Sequence, residues 1–228
     1  MIIAVDGPAG AGKSTVSKIL AQKLGFLYID TGAMYRALTL KAIESKIDAQ
    51  DASRLIEMAR SSNIDLTSNQ DSLRVFLDGR DVTGFIREPR ITKLVSDIAR
   101  IKGVREAMLT IQRRLGKQKD SVLDGRDIGT VVFPDADRKF YIDAEFNERV
   151  RRRYKELKEL GQDVTLKDIE SDLQNRDRID STREFAPLKK AEDAVYIDTT
   201  HMTIAEVVEA LLKHIAEGAN PIGNQVRD

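Results

Sequence analysis

Residues 7 to 14 read Gly7-Pro8-Ala9-Gly10-Ala11-Gly12-Lys13-Ser14, which satisfies the pattern Gly-x-x-x-x-Gly-Lys-Ser/Thr at every fixed position. An apolar run, Ile2 to Val5, precedes the glycines, and Val16, Ile19, Leu20 and Leu24 recur after them at helical spacing. Strand, tight loop and helix together aim successive backbone N–H groups and a helix N-terminus at a polyphosphate. Side chains in place of the glycines would block that approach. In such a loop Lys13 neutralises β- and γ-phosphates, Ser14 ligates Mg2+ through its hydroxyl, and Thr15 can add a hydroxyl to the α-phosphate. The pattern predicts an α/β fold that binds nucleotide phosphates. Taken alone it does not separate a kinase from an ATPase or a GTPase.

Composition narrows the classes further. The 228 residues carry no Cys and two His, so disulfides, zinc-thiolate sites, iron-sulfur clusters and thiolate chemistry are excluded. This usage points to reducing cytoplasm. Hydrophobic residues make up 41% and charged residues 32%, enough for a sizeable core without the apolar continuity of a membrane span. The 37 Lys and Arg balance 37 Asp and Glu, which argues against a long nucleic-acid footprint but leaves room for local cationic clusters. Nothing marks a subunit interface, and a monomer is the default.

Further core strands are expected at 26–29, 122–124, 140–142 and 195–197. Helical stretches separate them at intervals suited to right-handed crossovers, with ligands at the carboxyl ends of a parallel sheet. The interval between Ile29 and Val122 is far longer than one crossover helix requires. Within it, 64–66 and 73–77 have strand character, and Asp78-Gly79 is a hairpin-turn signal before a strand at 80–83. These predict a small antiparallel sheet on an inserted lobe, flanked by helices over 52–60, 91–100 and 104–115, with Pro89 at a helix entry. The pentapeptide Leu-Asp-Gly-Arg-Asp occurs at 77–81 and 123–127. The first copy sits in a polar hairpin and the second follows an apolar strand, so no repeat architecture is implied. Residues 218–228 are expected to form a flexible tail.

Four polar clusters are candidates for a second site. Asp30 or Thr31 can cap the helix that follows the second strand, and Arg36 lies about one turn inside it, either facing an acceptor phosphate or forming a surface salt bridge. Asp124-Gly125-Arg126-Asp127 stands at a strand end, where Asp124 can hold Mg2+ through water while Arg126 and Asp127 reach outward; a surface turn with internal ion pairs is the bland reading. Along a helix from Glu145 to Leu160, Phe146, Val150, Tyr154 and Leu157 form an inward stripe. Arg149, Arg152 and Arg153 share one side, either closing over donor phosphates or forming a solvated basic face, and Arg151 projects across the helix. Arg176, Asp180 and Arg183 have i, i+4, i+7 spacing, giving one helical face with two arginines around a carboxylate, unless Ser181-Thr182 breaks the register.

Four segments in this order, Gly7 to Thr15, Asp30 to Arg36, Leu123 to Ala136 and Arg176 to Leu188, resemble the bacterial cytidylate kinase family, and the likeness extends over about residues 1–215. It implies a nucleoside-monophosphate kinase core at 1–35 and 116–217, a helical lid near 149–182, and a monophosphate-binding side with an inserted lobe at 36–115. It further implies transfer from ATP, with Mg2+, to CMP or dCMP. Under that resemblance Thr31 and Arg36 are acceptor-site residues. Ser96 and Arg105, with Asp127, contribute to cytosine recognition. Arg126 faces phosphate, Asp180 contacts the sugar, and Arg176 and Arg183 span the acceptor and transferring phosphates. Lid arginines Arg149, Arg152 and Arg153 contact the donor. UMP/CMP kinase, adenylate kinase and a nucleotide-driven switch are the alternatives.

Overall fold

A computed structural model describes residues 1–68 and 73–217. The expected tail at 218–228 lies outside the described residues. Five parallel strands form the central sheet: β1 (Ile2–Asp6), β2 (Leu27–Asp30), β6 (Ser121–Gly125), β7 (Arg138–Asp143) and β8 (Val195–Asp198). Their order is β2-β6-β1-β7-β8. Register pairs Asp30 with Asp124 and Asp6 with Gly125, so the acidic strand ends lie along one carboxyl edge.

Strand periodicity sorts the core into two faces. Ile3, Val5, Tyr28 and Val122 pack with α1 (Lys13–Leu24) and α8 (Ile204–Glu217) on one side. Ala4, Ile29 and Leu123 point to the other side, against α2 (Thr31–Glu44) and α5 (Lys102–Gly116). Burial on both faces explains why these strands read as continuous apolar runs.

The inserted segment contains α3 (Ala52–Ser61), the antiparallel sheet β3-β4-β5 (Ile64–Ser68, Leu73–Leu77, Arg80–Asp81) and α4 (Pro89–Ala99). Asp78 (φ 50°) and Gly79 (φ 82°) both adopt positive φ, as a two-residue primed turn requires. The third strand is shorter than the expected 80–83: Thr83 leaves the ladder, and its backbone N–H and hydroxyl both donate to Asp81 Oδ1. Leu66, Val75 and Leu77 share one apolar cluster with Ala4 and Ile29, so the inserted sheet and the main sheet have a continuous core on that side.

After β6 the chain makes a single π-helical turn at Ile128–Val132. A helical hairpin, α6 (Phe146–Glu159) and α7 (Leu166–Thr182), follows β7. Val150, Leu157, Ile169 and Leu173 form a third apolar cluster, and the loop residue Ala9 belongs to it. The hairpin is thereby seated on the phosphate loop. No helix among the described residues is long and apolar enough to cross a membrane.

Candidate active site

The loop between β1 and α1 takes the form its glycines allow. Gly7 has φ 146°, and a Cβ there would stand 1.9 Å from the Ile142 carbonyl oxygen. At Gly10, φ 79°, a Cβ would press on Arg149 at 3.1 Å. Gly12 precedes α1 in a left-handed conformation, and no side chain caps that helix. Its first-turn N–H groups are therefore available to an anion. Lys13 is buried, and its Nζ donates to the Pro8 carbonyl at 2.6 Å. Burial, then the nearby Arg126, pushes its pKa well below the usual lysine range.

Ser14 Oγ donates to Asp124 Oδ2 at 2.7 Å, and Tyr28 Oη donates to Asp124 Oδ1 at 3.1 Å. Asp124 is 4% exposed. Burial and the neighbouring Asp30 hold its pKa well above the ordinary carboxylate value. Such a carboxylate favours a cation beside it. Asp30 is the cap of α2, accepting from the Ala33 N–H at 2.8 Å. Thr31 does not cap; its hydroxyl donates to the Asp124 carbonyl at 2.7 Å, tying α2 to β6.

A cleft of about 1400 Å³ opens at this edge. Ala9 through Thr15, Arg36, Asp124, Arg126, Arg152, Arg153 and Arg176 line it. Burial, then Arg176 and Arg153, lowers the Arg36 pKa to about 10, a mark of cations converging where an anion belongs. Arg36 Nη1 donates to Thr92 Oγ1 of α4 at 2.8 Å, which fixes its fork.

Asp127, Asp180, Arg105 and Arg183 are absent from the cleft lining and form a buried chain beside Arg126. Arg105 Nη2 lies 2.6 Å from Asp127 Oδ2, and Arg183 Nη2 lies 3.4 Å from Asp127 Oδ1. Arg183 Nη1 is 3.3 Å from Asp180 Oδ1, whose other oxygen accepts from Arg126 Nε at 2.9 Å. The expected helical face of Arg176, Asp180 and Arg183 is interrupted, because α7 ends at Thr182 and Arg183 is an extended C-cap (φ −63°, ψ 141°). The backbone turn rather than helical spacing brings Arg183 to Asp127. Ser96 is half-buried on α4, outside this chain of charges.

The basic helix also differs in detail from the sequence reading. Arg149 does not face the cleft. Its guanidinium donates to the carbonyls of Ala144 (3.1 Å) and Ala9 (3.0 Å) and to Asp177 of α7 at 2.7 Å. Arg152 is held by Glu148 and by the Thr199 hydroxyl and carbonyl. Arg153 pairs with Glu156. Arg151 lines the cleft with its side chain 77% exposed and pairs with Glu148.

Several participants carried no sequence signal. Arg87, just before α4, lines the cleft. Tyr35 of α2 lies under Arg105, 5.3 Å from ring centroid to guanidinium carbon. Thr92 and Tyr28 orient charged groups through hydrogen bonds to residues distant in sequence, and no local pattern encodes such contacts.

The cytidylate kinase family model matches residues 3–217. The cytidylate kinase of Caldicellulosiruptor saccharolyticus is 47% identical over 224 residues, covering 98% of this chain and 98% of its own. That of Clostridioides difficile is 50% identical over 94% of this chain and 98% of its own, and that of Desulforamulus reducens is 51% identical over 95% and 97%. Shikimate kinase from Acinetobacter baumannii, solved with shikimate, shares the fold at a TM-score of 0.50 and 16% identity, over 96% of this chain and 95% of its own. With about half of all positions retained across nearly the full length of such relatives, and a family match reaching from the first strand to the last helix, this chain belongs to the cytidylate kinase family.

Proposed function

We propose that the chain transfers the γ-phosphoryl group of ATP to CMP or dCMP, yielding ADP and CDP or dCDP. The observation that carries this reading is the cleft itself. Its volume of about 1400 Å³ exceeds the roughly 300–1000 Å³ of a single small-molecule site. The phosphate loop lines the cleft together with Arg36 of α2 and Arg87, just before α4. Two nucleotides meeting phosphate to phosphate need such a space.

The donor triphosphate occupies the loop, held by the N–H groups of residues 9 to 15 and by Lys13. A polyanion beside Lys13 favours its protonated form, since the phosphate charge opposes the effect of burial and Arg126. The residues present fit a magnesium ion arriving with ATP. Ser14 retains hydroxyl lone pairs while donating to Asp124, and Asp124 is a buried carboxylate short of positive charge. Among the described residues no group of three or more His, Cys, Asp or Glu forms a metal cage, and phosphate oxygens would complete the shell. When bound, the ion screens the β- and γ-phosphate charge.

The attacking oxygen belongs to the acceptor phosphate, whose second ionisation lies near pH 6. It is substantially deprotonated at neutral pH, so no strong general base is needed. What the chain supplies is cancellation of repulsion between two anions. Arg36 and Arg126 take the acceptor phosphate, Arg176 and Arg153 stand between the two groups, and Arg152 attends the donor. Asp127, Arg105 and Ser96 do not line the cleft as it stands, and they would serve the cytosine edge with an acceptor and donors once the Arg105–Asp127 pair turns toward it. Arg183 braces Asp127 and Asp180, and Asp180 meets the sugar.

Assays of the purified chain with ATP and magnesium against CMP, dCMP, UMP and AMP test this directly. CDP and dCDP should form, with UMP and AMP roughly tenfold or more poorer, since each unpaired buried polar group costs on the order of 1–3 kcal/mol. Absence of CDP formation, or preference for AMP, contradicts the reading.

A further inference from the structure

Asp6 closes β1 immediately before the phosphate loop and is 4% exposed. Among the described residues its carboxylate hydrogen-bonds to no basic side chain. Oδ1 accepts from the Ile128 backbone N–H at 2.8 Å, and Oδ2 accepts from the Gly129 N–H at 2.7 Å. Those two amides open the π-helical turn that follows Arg126 and Asp127. The turn has no cap of its own, because the Asp127 side chain makes no cap hydrogen bond. Pairing of β1 with β6 fixes the backbone only as far as Gly125, opposite Asp6. Beyond that point the chain leaves the sheet, and the Asp6 carboxylate is the next tie to it.

Burying an anion without a hydrogen-bonded cation is costly. Burial raises the Asp6 pKa to about 6, although the Gly129 and Ile128 amides oppose the shift. A carboxylate is nevertheless the side chain this geometry demands: two acceptor oxygens meet two convergent donors. Asparagine has the same shape but would turn an NH2 group toward one of the N–H groups.

We propose that Asp6 is a positioning residue: by capping the 128–132 turn from the end of the neighbouring strand, it sets the aim of Arg126 and Asp127 at the acceptor nucleotide, and so joins donor loop and acceptor recognition at one carboxylate. The target of that aim rests on the proposed phosphoryl transfer to CMP. Asp6 touches neither nucleotide in this account and acts only through the turn.

The test compares the full-length chain with Asp6→Asn in three measurements: backbone amide exchange by NMR, kcat/KM for CMP and UMP, and KM for ATP. In the unsubstituted chain the Ile128 and Gly129 amides should be protected to the level of neighbouring β6 amides. In Asp6→Asn the amide that meets the NH2 group should exchange about tenfold faster or more, as expected for loss of a charge-assisted hydrogen bond. The ratio of kcat/KM for CMP over UMP should also fall roughly tenfold, with KM for ATP within about threefold of the original. A lower melting temperature with an unchanged CMP-to-UMP ratio would overturn the proposal, leaving Asp6 a merely structural residue. Unprotected Ile128 and Gly129 amides in the unsubstituted chain would overturn it as well, and that arm stands even if Asp6→Asn does not fold. Failure of phosphoryl transfer itself would appear in the unsubstituted chain as absence of CDP, while the exchange measurement still judges the cap.

Discussion

Asp180 shows how a single side chain is tuned by its neighbours. Burial alone would raise its pKa, yet Arg126 and Arg183 hold it below the ordinary 3.8. A carboxylate ionising more easily folded than unfolded stabilises the fold above about pH 3.8, and that contribution disappears as pH falls through the lower folded value. Asp180→Asn leaves two arginines without their shared counter-ion and should cost about 3 kcal/mol at neutral pH. Urea unfolding of both proteins should show a constant gap down to about pH 4 and a narrowing one below it; a gap that widens on acidification would contradict the assignment. Sequence alone placed Asp180 and Arg183 on one helical face, and the structure shows why spacing was insufficient. The helix ends one residue before Arg183, and no residue in Ser181-Thr182-Arg183 is a strong helix breaker. Thr31 was likewise readable as a cap or an acceptor residue; it does not cap, and its hydroxyl donates to a carbonyl from a strand far along the chain.

Elements whose geometry is local were legible. The strand-loop-helix unit at residues 2–24 follows from fixed glycine positions, and the Asp78-Gly79 turn follows from a dipeptide that tolerates positive φ. The seating of α6 and α7 on the phosphate loop was not legible, since it depends on Arg149 reaching the Ala9 carbonyl and Asp177 together. Arg149 thus acts as a brace between hairpin and loop, while Arg151 on the same helix is exposed. Lysine cannot reproduce a guanidinium that serves three acceptors in fixed directions. Arg149→Lys should therefore raise KM for ATP about tenfold or more, and Arg151→Ala should change it less than about twofold. Equal effects of the two substitutions in steady-state kinetics would refute the brace.

Across the whole molecule, charge is balanced in number but not in space. The formal charge is zero, yet Lys13, Arg36, Arg87, Arg126, Arg152, Arg153 and Arg176 all line one cleft. No single segment of sequence contains that concentration of positive charge; the sheet edge, the inserted lobe and the α6-α7 hairpin each contribute part of it. Under the proposed function this one cleft holds a donor triphosphate and an acceptor monophosphate end to end. Titrating the chain by calorimetry with adenosine and cytidine joined through five phosphates tests it most directly. One molecule should bind per chain, displaced by ATP and by CMP alike, with affinity at least about tenfold above that of either substrate because linked groups bind as one. Displacement by only one of the two nucleotides, or affinity no better than that of ATP, would contradict it.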